Sequence, residues 1–525
     1  MSLEKKEKYR ILLLRPFFEM LEHELVFLPF EPLGLMYLQS ALSKAGHEVK
    51  LYDCPVEHPR KIKFSAEKQA FLCGSDEKDI VKEIKKFKPD IVCISGMFYS
   101  QSSSFYRIAS LVKSISTETI VVGGGAFPSA YGDGVFRDNK NIDFIVVGEG
   151  ERTILELINN LNHPDKVKGI IFRKDEKIIF TGETSANMEL DLIDFPHRDF
   201  SKIYNYSKPV GYNYSKKLNL KKIIKSSILY SCLSVPGLRF VFAYCFNLRH
   251  KKNLKALLMP CGFIITSRGC PSRCSFCAIH KVWGGIYRIR SAVNVLAEIE
   301  ELVRHGVKEI VIVDDNFTVS RERTIEICRG IIDKGWKIRL LTPSGVFLPS
   351  LDKEVLQYLF RAGLRELQFG VENGDQEFLE KVIKKNLKLE KVKEIVAQAK
   401  EIGFKVRGFF IFGYPGETRE IMIKTLRFAF ESGMNSARFY VFQPLPGTEA
   451  WQLAKNMGAI DNKLDFSKLK MRPDVPVVET KDFSKKDVME IFNLAYDILQ
   501  KKNYEEVKNK IPQILGWDKN KPTNR

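Results

Sequence analysis

The sequence predicts an α/β protein built from two successive strand-and-helix series: a doubly wound parallel sheet, then a partial (β/α)6 barrel, with a small helical C-terminal region. Three observations predict it. Short apolar runs alternate with helical patterns, each run ends in a turn of Gly, Pro or small residues, and one stretch without acidic residues separates the two series. At 525 residues the chain has room for about three domains. A composition of 44% hydrophobic and 28% charged residues, with Gly and Pro spread out, excludes wholesale disorder, collagen and coiled coil.

The first series occupies residues 1–200. Strands are expected at Arg10 to Leu14, Glu48 to Tyr52, Asp90 to Ile94, Thr119 to Val122 and Phe144 to Val147. Their turns are Pro16, Asp53-Cys54-Pro55, Ser95-Gly96, Gly123-Gly124-Gly125 and Gly148-Glu149-Gly150-Glu151. Ligands of such sheets bind at the carboxyl ends of the strands. Glycines there let a backbone approach a bulky ligand, although one glycine turn alone reads equally well as a tight turn. A β-rich tail at Gly169 to Phe172 and Ile178 to Thr181 leads to Asp194-Phe195-Pro196, a linker signal.

The insertion at 201–261 holds most of the charge imbalance. The chain carries 83 Lys and Arg against 64 Asp and Glu, a net +19. Phe200 to Ala297 contains 17 of those cations and no acid, so the rest of the chain carries only +2. Within it, Ser226 to Leu248 is apolar apart from Arg239, and lysines and arginines rim it over 216–255. Pro236, Gly237 and Arg239 break the run and argue against a single membrane crossing. Two readings remain: a broken amphipathic hairpin in peripheral contact with an anionic membrane face, or a buried helical pair or long loop with solvated lysines. The aromatic residues cluster in apolar runs, which argues against nucleic acid.

The second series occupies 262–460. Strands are expected near Phe263 to Thr266, Glu309 to Val313, Lys337 to Leu341, Glu366 to Val371, Val406 to Phe412 and Ala437 to Phe442, with helical patterns such as Val293 to His305, Arg323 to Lys334 and Leu389 to Ile402 between them. Residues 461–525 read as helical and lysine-rich. Ten cysteines in so long a chain, with no apolar leader at its start, point to a reducing cytoplasm.

Three cysteines follow the first barrel strand at once, in Arg268-Gly269-Cys270-Pro271-Ser272-Arg273-Cys274-Ser275-Phe276-Cys277. Zinc in a closed site wants four ligands; no second CxxC or His pair stands at finger spacing, and His280 alone keeps zinc as an alternative. Three thiolates on one loop suit three irons of a cubane and leave the fourth iron open.

This loop resembles the cluster motif of the radical SAM superfamily. The resemblance implies that Cys270, Cys274 and Cys277 ligate a [4Fe-4S] cluster whose fourth iron chelates S-adenosylmethionine (SAM) and cleaves it to a 5′-deoxyadenosyl radical. Phe276 matches the aromatic position near the adenine. Asp314 and Asp315, in Val313-Asp314-Asp315-Asn316-Phe317, stand where many members have Gly-Gly-Glu and are candidates to accept from the SAM ammonium. Gly370-Val371-Glu372-Asn373 is similar to the segment that reaches the methionyl and ribose groups, which puts Glu372 at SAM. Gly408 to Glu417 is similar to the fifth-strand motif beside the adenine, with Gly408, Ile411 and Gly413 as contacts, and Pro444 lies in a turn that resembles the sixth-strand turn. Taken singly, each is also an ordinary strand-end turn before a capped helix.

The first domain resembles the Rossmann-like cobalamin-binding domain fused to such TIM-type barrels. The matching positions are Leu33, Gly34, Ser95, Gly96, Gly123, Gly124, Gly125, Gly148 and Glu149. No Asp-x-His-x-x-Gly occurs, which implies base-off cobalamin without a histidine on cobalt. Together the resemblances cover about residues 8 to 455 and imply a cobalamin-dependent radical SAM methyltransferase. It would act on an unactivated carbon or phosphorus centre of a small-molecule or lipid-like substrate and draw electrons from an external one-electron reductant such as flavodoxin or ferredoxin. Two rivals are a cobalamin radical SAM cyclase or oxidoreductase without methyl transfer, and a non-catalytic cobalamin sensor or carrier; the intact cysteines argue against the second.

Overall fold

The computed structural model describes residues 6–20, 30–59, 61–65, 70–184, 189–201, 203, 206, 260–460 and 475–500. The apolar and basic run at 216–255 lies outside them, as do 461–474 and 501–525. Two compact units form. One comprises Met1–Cys270, Ile279–Asp314 and Arg329–Leu341; the other comprises Pro271–Ala278, Asp315–Cys328 and Thr342–Arg525.

In the first unit the strands are β1 (Arg10–Arg15), β2 (Phe18–Met20), β3 (Glu48–Asp53), β4 (Ile62–Ser65), β5 (Ala70–Cys73), β6 (Ile91–Ser95), β7 (Ile120–Gly124), β8 (Phe144–Val146), β9 (Ile170–Lys174) and β10 (Lys177–Phe180). Seven of them form one sheet in the order β10-β9-β8-β7-β6-β1-β3. The five expected strands pair in parallel, and the 170–180 tail adds an antiparallel hairpin. In chain order the parallel strands run 2-1-3-4-5, the doubly wound arrangement whose direction reverses between β1 and β6. Helices cover both faces, so the central strands are apolar throughout: Ile91, Val92, Cys93 and Ile94 are all buried. A second, antiparallel sheet of β2, β5 and β4 is a feature the sequence pattern does not announce.

The same unit contains β11 (Cys261–Ile264), β12 (Ser267–Arg268), β13 (Arg288–Ile289), β14 (Glu309–Ile312) and β15 (Arg339–Leu341). β11, β14 and β15 form a parallel three-stranded sheet, and β12 and β13 an antiparallel ribbon. The segment 189–201, read as a linker, is tied into this core. Arg198, 2% exposed in its side chain, pairs with Glu298 at 2.7 Å and Glu31 at 3.5 Å, and the Phe263 N–H donates to Glu31 at 2.8 Å. Burial raises the Glu31 carboxyl, with Arg198 opposing.

In the second unit β16 (Glu366–Glu372), β17 (Lys405–Phe412) and β18 (Ser436–Val441) form another parallel sheet. Thus all six strands expected of the barrel are present, three in each unit. In β17 alternate residues Val406, Gly408, Phe410 and Phe412 are buried, as one face packs under helices such as Arg419–Glu431. Thr418 caps that helix by accepting from the Ile421 N–H, a contact of about 1 kcal/mol. The C-terminal helix Lys485–Gln500 belongs to this unit. Among the described residues no helix is long and apolar enough to cross a membrane.

Candidate functional site

The cysteine loop starts where β12 ends. Gly269 has φ +88°, and a Cβ there would stand 2.2 Å from the Ile286 carbonyl oxygen, so the chain can enter the loop only through glycine. Cys270 is buried, while Cys274 and Cys277 are partly exposed. The Cys277 N–H donates to the Cys274 carbonyl at 3.0 Å, making a tight turn between the last two thiols. Ser275 fastens that turn: its N–H donates to the Ile383 carbonyl at 2.9 Å, its carbonyl accepts from the Ala450 N–H at 2.9 Å, and its hydroxyl lies 2.6 Å from the Tyr414 hydroxyl. Phe276 meets the Tyr414 ring edge-on at 6.5 Å. Among the described residues no three His, Cys, Asp or Glu side chains converge on one point as ligands of a single ion must. A cubane makes no such demand, because each thiolate binds a different iron.

Among the described residues, four buried cysteines elsewhere are a different population. Burial pushes the Cys73, Cys93 and Cys328 thiols up to about 12 and raises Cys54 as well, which makes them inert packing residues.

Asp314, 2% exposed, accepts from the Thr266 N–H at 2.6 Å and from the Thr266 and Ser267 hydroxyls at 2.5 and 2.6 Å. Its carboxylate is therefore committed to holding the strand that delivers Cys270. Asp315 belongs to the other compact unit and is half-buried. Glu372 ends β16 with φ +74°, a left-handed conformation uncommon outside glycine and often found at working sites. A register shift between Gly370 and Glu372 accompanies it, and Lys385 pairs with the carboxylate at 2.9 Å. Gly370 leaves the room: a Cβ on it would lie 2.0 Å from Glu372 Oε1.

The turn after β17 is locked from inside. Glu417, fully buried, accepts from the Gly413 N–H at 2.8 Å, the Tyr414 N–H at 3.0 Å and the Asn373 amide at 2.8 Å. Burial pushes its carboxyl up to about 8 against those donors. Gly408 faces the covered side of the sheet, where a Cβ would meet Met434 Sδ at 2.5 Å. Ile411 lies on the opposite, partly open face, Gly413 (φ +76°) abuts Val488, and Pro444 is buried.

At the carboxyl edge of the seven-stranded sheet, the expected residues come together. The Gly96 N–H donates to the Gly124 carbonyl at 2.7 Å, the Phe127 N–H to the Gly96 carbonyl at 3.0 Å, and the Gly148 N–H to Ser129 Oγ at 2.9 Å. Ser95, half-buried, ends β6 beside them. The protein's own packing demands several of these glycines. A Cβ at Gly123 would stand 2.6 Å from Ile145 and Phe105, at Gly96 2.9 Å from Pro128, and at Gly125 2.6 Å from the Gly96 oxygen. Gly34 and Gly124 differ: the first has nothing within 4 Å and the second only ordinary contacts beyond 3.7 Å. Glycine at those two places, one inside the first turn of the helix Leu33–Lys44, costs helix or strand stability with no return from internal packing. Both positions leave room that no side chain of this protein fills. Leu33 is buried in a cluster with Met36 and Tyr37, against which Phe263, Ile265 and Val313 pack.

Sequence reasoning missed the buried ion pairs around this edge. Arg15 and Asp53, at the ends of β1 and β3, pair at 2.6 Å, and Tyr206 donates to Asp53 at 2.9 Å. Arg268 pairs with Glu149 and Glu151, and Arg288 with Glu149. The available signal was a charged residue closing the apolar run of β1, for Arg15, and an acid closing the inward half of β3, for Asp53.

Comparison with known proteins agrees with this anatomy. Residues 264–429 match the radical SAM superfamily and residues 26–158 the B12 binding domain. The chain is 30% identical over 479 residues to the cytidylyl-2-hydroxyethylphosphonate methyltransferase of Streptomyces wedmorensis, an alignment covering 87% of this chain and 84% of that one. It is 25% identical to the anaerobic magnesium-protoporphyrin IX monomethyl ester cyclase of Cereibacter sphaeroides, over 83% of this chain and 62% of the relative. In fold it is similar to the radical S-adenosylmethionine methyltransferase TsrM of Kitasatospora setae, solved with tryptophan and a SAM analogue, with a TM-score of 0.61, 18% identity, and coverage of 87% of this chain and 77% of that one.

Proposed function

Because this chain belongs to the cobalamin-dependent radical SAM enzymes, we propose that it is a methyltransferase acting on an unactivated carbon or phosphorus centre of a small-molecule substrate. The observation that carries this reading is the likeness to a methyltransferase across nearly the whole of both chains, together with an intact three-cysteine loop. Cys270, Cys274 and Cys277 would hold the [4Fe-4S] cluster, and the edge around Gly34 and Gly124 would hold cobalamin. When bound, the cluster with SAM supplies hydrogen abstraction by a carbon radical, and cobalamin supplies a transferable methyl group.

The protein's own part is placement and dryness. Ser275 and Tyr414 hold the outer half of the cysteine loop, and Asp314 holds the strand that leads into it. Glu372, bent back beside Lys385, presents a carboxylate at the end of β16 for the methionyl or ribose groups of SAM. Ile411 and Phe276 offer apolar surface to the adenine. With no Asp-x-His-x-x-Gly anywhere in the chain, the cobalamin is read as base-off with no histidine on cobalt. An external one-electron reductant, of the flavodoxin or ferredoxin kind, completes the system.

The test is SAM labelled in its methyl group, supplied to the reduced, reconstituted protein with candidate substrates. Label in the product supports methyl transfer. 5′-Deoxyadenosine with an unlabelled, cyclised or oxidised product would instead favour the second reading, which the cyclase relative motivates. Alanine at Cys270, Cys274 and Cys277 should leave cobalamin bound and end SAM cleavage. For the run at 216–255, co-sedimentation with anionic and neutral liposomes decides whether a membrane face and a lipid-like substrate belong to the reading.

A further inference from the structure

Arg268 stands two residues before Cys270, separated from it only by the obligatory Gly269. Its guanidinium is 4% exposed and fully engaged. One nitrogen pairs with Glu149 Oε2 at 2.5 Å, and the fork meets Glu151 at 2.5 and 3.3 Å. Tyr37 and Trp283 bracket it, with ring centroids 5.5 and 5.3 Å away. Glu149 occupies the position before the helix Gly150–Asn159 and Glu151 lies in its first turn, directly after Gly148 at the carboxyl edge of the seven-stranded sheet. Tyr37 lies on the helix that begins with Leu33 and Gly34, and Trp283 ends the short helix Ile279–Trp283 just beyond Cys277. A Cβ on Gly148 would stand 3.0 Å from the Val282 carbonyl oxygen of that short helix. The two turns that would cradle cobalamin and the two flanks of the cysteine loop thus converge on one buried side chain.

Such a junction resists half-movements. A buried, bidentate Arg–carboxylate pair tolerates displacement as a unit far better than loss of one partner. Any shift of the Gly148–Glu151 turn on taking up a ligand is therefore passed to Arg268, and through Gly269 to Cys270.

We propose that Arg268 is a positioning residue that couples cobalamin uptake at the sheet edge to the seating of the Cys270 loop, so that each cofactor strengthens the other's site. This deepens the functional reading above and rests on it. By linkage the coupling is reciprocal, and a coupling of ordinary size appears as about a fivefold or greater change in affinity.

The experiment measures the affinity of the full-length protein for hydroxocobalamin by absorbance titration, with the cluster reconstituted and after its removal by oxidation and chelation. Wild type should bind at least about fivefold tighter with the cluster in place. Arg268→Met should reduce that ratio to near one, Glu151→Gln should do the same, and Arg268→Lys, which keeps charge but not the fork, should fall between. A purely structural arginine would lower stability and leave the ratio intact. The proposal is overturned if wild type shows no ratio, or if Arg268→Met keeps it; should Arg268→Met fail to fold, an unchanged ratio in Glu151→Gln overturns it. A wild-type protein that takes up neither cofactor would sink the functional reading first.

Discussion

The hydroxyl of Ser275 lies 2.6 Å from the hydroxyl of Tyr414, across 139 residues of chain. Ser275 sits between two of the three cysteines, and Tyr414 is fully buried against Phe442, Phe378 and Phe276. A phenol in an apolar nest therefore holds a turn between two partly exposed thiols. Tyr414→Phe removes this bond and little else. The expected loss is about 1 kcal/mol, read from urea unfolding, with faster iron release to a chelator. Unchanged iron release would show that the backbone bonds of Ser275 suffice.

Asp314 offers a sharper choice. If it accepted from SAM, Asp314→Asn would weaken SAM binding and leave the fold alone. The three donors already on its carboxylate predict otherwise: Asn keeps the Thr266 N–H bond, and the two hydroxyls turn to accept from its amide. Asp314→Asn should thus retain SAM affinity within about twofold, while Asp314→Ala leaves buried donors unmet and costs about 3 kcal/mol. SAM titration of both variants, beside their melting curves, separates the two accounts.

Adjacent glycines should respond in opposite ways. Gly123→Ala drives a methyl group against Ile145 and Phe105 and should destabilise the protein by about 1–3 kcal/mol. Gly124→Ala meets only ordinary contacts and should leave stability within about 0.5 kcal/mol, yet weaken cobalamin binding. Equal cobalamin affinity in Gly124→Ala and wild type would remove that position from the cradle.

Glu417 makes stability depend on pH. Its folded pKa, about 8, lies above that of an unfolded glutamate, about 4.3. The folded state therefore holds a proton that the unfolded state has lost. The contribution is complete below about pH 4.3, falls as the pH rises through the interval, and is gone above about 8. Glu417→Gln should flatten the stability profile between pH 5 and 8 by about one proton's worth of slope. Parallel profiles for variant and wild type, followed by urea midpoints across that range, would count against the assignment.

What the sequence shows well is what chemistry makes local. The five parallel strands of the first sheet lie within a residue or two of their expected bounds, because the central ones, buried on both faces, must be apolar runs and the turns between strands must break. The cysteine loop is equally local, three cysteines in eight residues. Short elements escape: β2, β4 and β5 are three or four residues long and carry Glu19 and Lys63, too little for a period to emerge. Long-range partners escape for another reason. Nothing near Arg268 names Glu151, 117 positions away, and nothing near Ser275 names Tyr414. The same limit applies to the glycines, since only the packed structure separates those that the core requires, such as Gly123, from those that it does not, such as Gly124.

The long separation between Ser275 and Tyr414 also sets a timetable. On a ribosome adding about 5–20 residues per second, the turn that carries Cys274 and Cys277 emerges on the order of ten seconds before the tyrosine that fastens it. During that interval the turn lacks the bonds to Tyr414 and Ala450 that fasten it in the finished protein. Firm anchoring of this turn is therefore a late event in the birth of this polypeptide, and a ribosome-bound fragment halted short of Tyr414 should give up iron to a chelator faster than the finished protein does.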